Sequence, residues 1–167
     1  LEALDTSIEQ AFQRMRSVLI NKCPPVLDGS NTLMTFEDLC TRWRLDAGPP
    51  WTVDLHLDTV TLNGLSKDLS LCVYRTLEEC LQNALKYGDP SHTVHVYLDT
   101  EQKQVRLKVV NGVPTVRAAA SPGGMGLQLL QERVRVHGGL LSSGMDYTGS
   151  TKRYVVLAQF PQSGVSA

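Results

Sequence analysis

The first part of the chain carries two stretches in which apolar side chains recur at helical spacing. In residues 4–19 they lie three and four positions apart, which predicts an amphipathic helix that Pro24-Pro25 ends. A second, short helix is predicted over residues 35–43, with Thr35 as its N-cap. Both helices need an apolar partner, because each has one hydrophobic face.

Gly48-Pro49-Pro50 is the predicted boundary between a helical segment, residues 1–48, and a globular domain, residues 49–167. Residues 52–58 alternate apolar and polar side chains, as a half-buried strand does. Residues 66–87 form the longest predicted helix, since apolar residues line one of its faces and a glycine follows its end. That apolar face consists of Leu69, Val73, Leu77, Leu81 and Ala84.

The rest of the chain alternates between strand and helix patterns. Two alternating stretches around Val96 and Leu107 predict a hairpin, with its turn at Asp99-Thr100-Glu101. The order of elements predicts an α/β fold, a two-layer sandwich of a mixed sheet with helices on one face. The last predicted elements are a loop from Asn111 to Gly124, a helix over residues 127–137, and strands over residues 140–145 and 153–160.

Charge and cysteine content exclude several classes of protein. Sixteen Lys and Arg against seventeen Asp and Glu give a formal net charge of -1, so we expect no nucleic-acid partner, and any anion site must be local. The four cysteines show no Cys-x-x-Cys spacing and no partnering histidine cluster, which argues against a zinc site or a disulfide frame. Reduced, mostly buried thiols are predicted instead. No apolar run approaches the roughly twenty residues of a membrane-spanning helix.

Polar residues of the long predicted helix form a possible binding edge. Glu79 and Asn83 are four residues apart and share one face, with Lys86 one step further along and Arg75 one step before. An amide oxygen can bind Mg²⁺, an ammonium can face phosphate oxygens, and a carboxylate can polarise a nucleophile. Taken alone, the pattern is more typical of a solvated helix face.

A glycine-rich segment precedes the helix predicted over residues 127–137. Gly123-Gly124-Met125-Gly126-Leu127 would present bare backbone amides at a helix N-terminus, which favours a phosphate. Its spacing fits neither a Walker loop nor a Rossmann fingerprint. On its own, such a segment is more typical of a flexible loop that enters a helix.

Together these two segments resemble the nucleotide-binding boxes of sensor histidine kinases. Residues 74–87 are similar to the N box of that family and residues 124–134 to its G2 box, closest to the subfamily that signals to LuxR-type response regulators. Gly149-Ser150-Thr151 resembles the last box, and residues 12–27 resemble the end of the second dimerisation helix and its exit. The resemblance implies the two-layer fold shared by gyrase-type ATPases and histidine kinases. It also implies that residues 1–48 end a dimerisation region and its linker.

The resemblance implies a role for each matched position. Asn83 would hold Mg²⁺, and Glu79 would be the polarising base or orienting carboxylate. Lys86, with the backbone amides around Gly124 and Gly126, would contact the phosphates of ATP. The other positions assigned to nucleotide binding are Tyr87, Asn111, Gly112, Leu127 and Thr151, of which Thr151 would help to hold the adenine.

The box after the third strand departs from the family pattern. Family members carry Asp-x-Gly-x-Gly, whose aspartate accepts a hydrogen bond from the adenine amino group, whereas this chain has Asn111-Gly112 without the full glycine set. Strand alternation from Val109 puts Asn111 in the place of the aspartate, while alignment on the Asn-Gly pair alone would put Val110 there. We prefer Asn111, whose amide oxygen can accept that bond without the charge of a carboxylate.

None of the four histidines matches a phosphate acceptor. His56 and His95 are predicted at outward-facing strand positions, His92 in a loop and His137 at a helix end, all as surface residues. The chain is therefore expected to hold a catalytic domain without the histidine that it phosphorylates.

The function implied by the resemblance is transfer of the γ-phosphoryl group of Mg²⁺-ATP to a histidine on a dimerisation helix, in cis or in trans. A LuxR-type response regulator would receive the group, and the intact protein would be a homodimer whose cytoplasmic domain this is, attached to a membrane-bound sensor. Two alternatives are a degenerate kinase domain that acts as a dimerisation or regulatory module, and a serine-kinase anti-sigma factor. The dimerisation-helix remnant disfavours the anti-sigma factor.

Overall fold

The structure, a computed structural model, describes residues 32–115 and 125–162, which form alternating helices and strands. The helix predicted over residues 4–19 lies outside these ranges. The helices are α1 (Thr32–Ala47), α2 (Thr59–Gly64), α3 (Lys67–Tyr87) and α4 (Met125–Val136), and the strands are β1 (Val53–Leu57), β2 (Val94–Glu101), β3 (Gln104–Gly112), β4 (Leu140–Asp146) and β5 (Arg153–Pro161).

The strands form one mixed sheet in the order β1-β2-β3-β5-β4. β1 pairs with β2 in parallel, and the other three pairings are antiparallel. The parallel pair needs a crossover connection, which α2 and α3 provide. The predicted α/β sandwich with a mixed sheet is confirmed.

The core lies between one face of the sheet and the apolar face of α3. Four of the five residues predicted for that helix face are fully buried, and Leu69 is half-buried. Successive side chains of a strand point to opposite faces, so every second residue of β2, β3 and β5 meets this core. The buried partners include Val94, Val96, Leu98, Leu107, Val109, Val156, Ala158 and Phe160.

The alternate side chains of the same strands point away from the core. We call this side of the sheet the open face. Most of its residues are half-exposed or exposed, as for His95 and Tyr97 on β2 and Lys108 on β3, whereas Val110 is buried. Asp54 and His56 continue the open face onto the edge strand β1.

One prediction from the local sequence was wrong, and one short helix was not predicted. Helix α1 begins at Thr32, so Thr35 is a buried residue inside the helix and not its N-cap. Helix α2 was not predicted, because six residues carry too little periodicity. Its signal is Asp58, the N-cap, which accepts a hydrogen bond from the Thr61 backbone nitrogen at 2.8 Å. The Thr61 hydroxyl and this backbone nitrogen lower the pKa of Asp58.

The hairpin turn lies further along the chain than predicted. Asp99, Thr100 and Glu101 belong to β2, and the turn is formed by Gln102 and Lys103, both with positive φ (50° and 61°). Two successive positive φ angles give the turn twist that a two-residue hairpin requires. The turn was predicted too early in the chain because Asp99, Thr100 and Glu101 are polar. The strand pairing with β3 nevertheless continues through polar residues, as in Asp99 with Arg106 and Glu101 with Gln104.

Other predictions from local signals are confirmed. Gly48 and Gly138 follow the ends of α1 and α4 with φ of 71° and 69°, the left-handed conformation that glycine adopts without steric cost. The three cysteines within the described residues are unpaired and buried, and burial raises the pKa of Cys40 and Cys80 to about 12 and that of Cys72 to about 11. No helix in the described ranges is long and apolar enough to cross a membrane.

Helix α1 contributes to the same hydrophobic core as α3 and the sheet. Its buried apolar residues are Phe36, Leu39, Cys40 and Trp43, and the Trp43 and Trp51 rings pack edge to face with centroids 5.5 Å apart. The core therefore continues across the boundary predicted at Gly48. The assignment of residues 1–48 to a dimerisation region and linker stays a prediction.

Truncation of Phe36 tests whether α1 is an integral part of the domain. Phe36 is 0% exposed, so Phe36→Ala removes a fully buried ring and should lower the free energy of unfolding by about 3–5 kcal/mol. Leu45→Ala is the matched control on the same helix, because Leu45 is 69% exposed and its loss should change stability by less than about 0.5 kcal/mol. Urea denaturation of both variants measures the difference. Equal, small effects would mean that α1 does not belong to the core.

Candidate functional site

A second stripe of α3 faces α4 beside the apolar stripe that faces the sheet. Cys72, Thr76, Glu79 and Asn83 follow one another at steps of four, three and four, which places them on one side of the helix. Cys72 and Thr76 are buried, and the Cys72 thiol lies 3.8 Å from the Arg133 carbonyl oxygen of α4. Glu79 and Asn83 are half-buried. The stripe thus opens toward the C-terminus of α3.

The beginning of α4 lies against Glu79. A Cβ atom on Gly126 would lie 2.7 Å from the Glu79 Oε1 atom, closer than non-bonded atoms approach. Cys72 meets Arg133 and Glu79 meets Gly126, so α3 and α4 run antiparallel. Asn83 is one further turn along α3, about 6 Å beyond Glu79 at 1.5 Å per residue, and therefore lies ahead of the α4 N-terminus.

This arrangement suits a metal-bound phosphate. The N-terminus of α4, a helix of 12 residues, carries backbone N–H groups without helical partners and the positive end of the helix dipole. Asn83 contributes an amide oxygen, which is a hard ligand of the kind that Mg²⁺ prefers, and Glu79 contributes a carboxylate at the same opening. The residues present therefore fit a Mg²⁺-phosphate group chemically. The structure brings Glu79 and Gly126 together, and their roles toward a nucleotide stay predictions.

Other predicted residues of the long helix lie at or beside this opening. Lys86 and Tyr87 are exposed in the last turn of α3, where a cation also suits the helix dipole. The Arg75 guanidinium donates to Glu78 at 2.8 Å and lies over the Tyr74 ring. Leu127 is half-buried in the first turn of α4. Gly124 lies outside the described residues.

Asn111 lies on the core-facing side of β3, near the C-terminal end of α3. It is 7% exposed, and its Nδ2 atom lies 3.2 Å from the Cβ position of Gly88, the C-cap of α3. Nδ2 donates a hydrogen bond to the Gly112 carbonyl oxygen at 2.9 Å. Val110 points to the open face opposite His95. The strand register predicted from alternation is confirmed, and the role of Asn111 in adenine recognition stays a prediction.

Three of the residues assigned to the nucleotide line a cavity at the end of β3 and β5. Asn111, Gly112 and Thr151 contribute to its wall, together with Val110 and His95 of the open face. Its volume is about 280 Å³. Glu79, Asn83 and Gly126 are not part of this wall. Within the described residues, the structure therefore groups the predicted residues in two places and does not join Thr151 to the Glu79 edge.

Gly112 shows a close contact that the sequence did not reveal. A Cβ atom there would lie 2.6 Å from the Cβ atom of His92, so only glycine fits without a shift of the chain. The Gly112 carbonyl oxygen also accepts from the Asp89 backbone nitrogen at 2.9 Å. The loop after α3 is thereby tied to the end of β3, which fixes Asn111 beside it.

Solved structures with a similar fold include histidine kinase domains. The histidine kinase domain of the blue-light activated histidine kinase from Erythrobacter litoralis EL346 has a TM-score of 0.59 and 18% sequence identity, covering 77% of this chain and 60% of that chain. The cytoplasmic segment of histidine kinase QseC has a TM-score of 0.55 and 15% sequence identity, covering 95% of each chain. The histidine kinase domain of the E. coli osmosensor EnvZ has a TM-score of 0.51 and 19% sequence identity, covering 79% of this chain and 86% of that chain.

These comparisons define the fold of the chain. It has the mixed α/β sandwich of histidine kinase catalytic domains, as the sequence predicted. The chain spans less than two thirds of the Erythrobacter structure's own length. No protein-family model matches the sequence, and no curated protein matches it.

Substitution of Gly126 tests the contact between the two helices. Gly126→Ala should leave the fold intact, since alanine is up to about 1 kcal/mol more favourable than glycine in a helix, but the new methyl group must displace the Glu79 carboxylate. The NMR signal of the Glu79 side-chain carboxyl group should then shift, while the chain stays folded.

The control for this substitution is Gly64→Ala at the end of α2, where a Cβ atom would meet nothing within 4 Å. Its thermal midpoint and its Glu79 carboxyl signal should both stay close to those of the unaltered chain. A Gly126→Ala protein with an unshifted Glu79 signal would contradict this contact.

Proposed function

We propose that this chain is an ATP-binding catalytic domain of a sensor histidine kinase. The observation that carries the proposal is the contact between Gly126 and Glu79, which sets a helix N-terminus beside a carboxylate, with the Asn83 amide one turn ahead. The fold shared with histidine kinase domains supports it. The resemblance of residues 74–87 and 124–134 to the N and G2 boxes supports it independently.

Each residue of the edge has a distinct task in this proposal. Asn83 ligates Mg²⁺ through its amide oxygen, and the α4 N-terminus with Lys86 neutralises phosphate charge. Glu79 polarises or orients the acceptor histidine, which a dimerisation helix supplies in cis or in trans. Phosphoryl transfer is driven by positioning and charge neutralisation more than by covalent chemistry, so these groups suffice for it. The acceptor of the relayed group is a response regulator of LuxR type, and the intact protein is a homodimer whose catalytic domain faces the cytoplasm.

Variants of Glu79 and Asn83 test the proposal by separating chemistry from binding. Asn83→Ala should weaken Mg²⁺-dependent ATP binding by at least about 10-fold, because it removes the metal ligand. Glu79→Gln should change ATP affinity by less than about 2-fold while slowing phosphoryl transfer, because it removes only the polarising charge. Calorimetric titration with an ATP analogue measures binding, and radiolabel transfer to a dimerisation-helix segment supplied in trans measures chemistry.

Glu78→Gln is the matched control on the same helix. Glu78 pairs with Arg75 at 2.8 Å and should alter neither binding nor transfer by more than about 2-fold, since a partly exposed ion pair contributes little. The chain alone should stay unlabelled. If the Glu79, Asn83 and Glu78 variants behaved alike, this face of α3 would be an ordinary solvated surface and the proposal would be wrong.

A second candidate function follows from Asn111. An amide stands in the place of the family's aspartate and donates to the chain's own Gly112 carbonyl, which favours a domain with weak adenine binding that acts as a dimerisation or regulatory module. The Asn111 amide oxygen can accept a hydrogen bond from an adenine amino group. A hydrogen bond to a carboxylate would be roughly twice as strong.

Asn111→Asp distinguishes the two functions. In a working kinase domain it should tighten ATP binding several-fold, on the order of 1 kcal/mol, with no gain for GTP, because guanine presents a carbonyl where adenine presents an amino group. It should also lower the stability of the nucleotide-free domain by about 1–3 kcal/mol, since a buried carboxylate would face the Gly112 carbonyl.

Asn63→Asp, at an exposed position in α2, is the control and should change neither property. Equal tightening for ATP and GTP would mean that Asn111 does not face the base. No binding at millimolar ATP by either the unaltered chain or Asn111→Asp would favour the interaction module.

A further inference from the structure

Three side chains with metal-ligand chemistry meet on the open face, at the pairing of β1 with β2. Asp54 lies directly opposite His95 in the parallel register, and His56 is two residues along β1, on the same face as Asp54. The Asp54 Oδ2 atom is 3.0 Å from His56 Nε2 and 3.5 Å from His95 Nδ1. One ligand atom from each residue lies within 4.8 Å of the others.

We propose that Asp54, His56 and His95 bind one divalent transition-metal ion of the zinc class. Zinc bonds to imidazole nitrogen and carboxylate oxygen are about 2.0–2.2 Å long, so ligand atoms in a tetrahedral site are about 3.3–3.5 Å apart. The two distances to Asp54 Oδ2 already lie near this separation. The ligand atoms of His56 and His95 lie within 4.8 Å of each other, so they must come closer together for a tetrahedral site to form.

The orientation of both imidazoles is fixed before a metal binds. The His56 ring stacks on the Tyr97 ring, with centroids 4.7 Å apart and planes 7° from parallel. His95 stacks on the same tyrosine with centroids 6.3 Å apart. Rings held by stacking on a pleated sheet lose little conformational entropy when they bind a ligand, which favours a site that is formed in advance.

One nitrogen of the cluster has an unmet need for a partner. His95 Nδ1 is shielded from solvent and makes no hydrogen bond to any described residue, although it lies 3.5 Å from Asp54 Oδ2. Buried polar atoms normally have a hydrogen-bond partner, and one without a partner calls for an explanation. A metal ion between Asp54 and His95 would provide it. Asp54 Oδ2 lies within hydrogen-bond distance of His56 Nε2, at 3.0 Å, but its distance of 3.5 Å from His95 Nδ1 is too long for a good hydrogen bond.

The ligand set selects the class of metal. Two imidazoles and one carboxylate suit zinc and its neighbours in the first transition series, whereas Mg²⁺ and Ca²⁺ prefer sites built from oxygen. Three protein ligands leave one tetrahedral position for water or an outside group. Among the described strands β1 is an edge strand that pairs with β2, so the ion would tie this edge to the sheet. Glu79, Asn83 and Gly126 are not part of the cavity wall that His95 shares with Asn111 and Thr151, and neither are Asp54 and His56.

Titration of metal-free protein with Zn²⁺ tests the site. One ion should bind per chain, and His56→Ala, His95→Ala and Asp54→Asn should each weaken binding by at least about 10-fold. His137→Ala is the control, since His137 follows α4 and lies outside the cluster. Zn²⁺ should raise the thermal midpoint of the unaltered chain and of His137→Ala, but not that of His56→Ala. Mg²⁺ at the same concentration should neither bind at this site nor raise the thermal midpoint.

X-ray absorption on the zinc-loaded chain identifies the ligands and excludes binding through cysteine. Two imidazoles and oxygen, without sulfur, are expected. Zinc bound with unchanged affinity by all three variants, or sulfur in the first coordination sphere, would overturn the proposal. The His56 side chain is 49% exposed, so His56→Ala should fold normally. The test therefore stays decisive even if His95→Ala fails to fold. ATP binding by the His56 variant should be unchanged, which separates failure here from failure of the nucleotide site.

Discussion

The packing of the apolar face of α3 against the sheet is the constraint on which the rest of the structure depends. Val73, Leu77, Leu81 and Ala84 are completely buried, so the helix cannot rotate without exposing its whole apolar stripe to water. With rotation fixed, the stripe that carries Glu79 and Asn83 must face α4. Glu79 and Asn83 are thereby held at the N-terminus of α4. The free energy that holds them there comes from the burial of the apolar residues beside them on α3.

The same sandwich geometry separates two kinds of chemistry. Side chains of β2 and β3 alternate between the core and the open face, so Asn111 joins the helix layer while its neighbour Val110 meets His95. Oxygen and amide groups beside a helix dipole suit a phosphate with a hard metal ion. Imidazoles stacked on Tyr97 suit a softer one. The two sets of side chains thus differ in the ligand chemistry that they suit, although His95 shares a cavity wall with Asn111 and Thr151.

Periodicity predicted the long elements and failed where structure depends on partners distant in sequence. Helix α3 was predictable because 21 residues carry a full apolar stripe, whereas the six residues of α2 do not. The resemblance of two segments to known boxes placed both beside one nucleotide, but it did not predict the direct contact of Glu79 with Gly126. The grouping of His56 with His95 was not anticipated, because it arises from the parallel register of β1 and β2, which no local pattern encodes.

The central claim is that a nucleotide binds between α3 and the start of α4, and backbone amide NMR of the chain with Mg²⁺ and a non-hydrolysable ATP analogue tests it most directly. The largest shifts are expected on Glu79, Asn83, Gly126 and Asn111, and the signals of His56 and Tyr97 on the open face should stay unchanged. Shifts confined to the open face, or none at millimolar nucleotide, would contradict it.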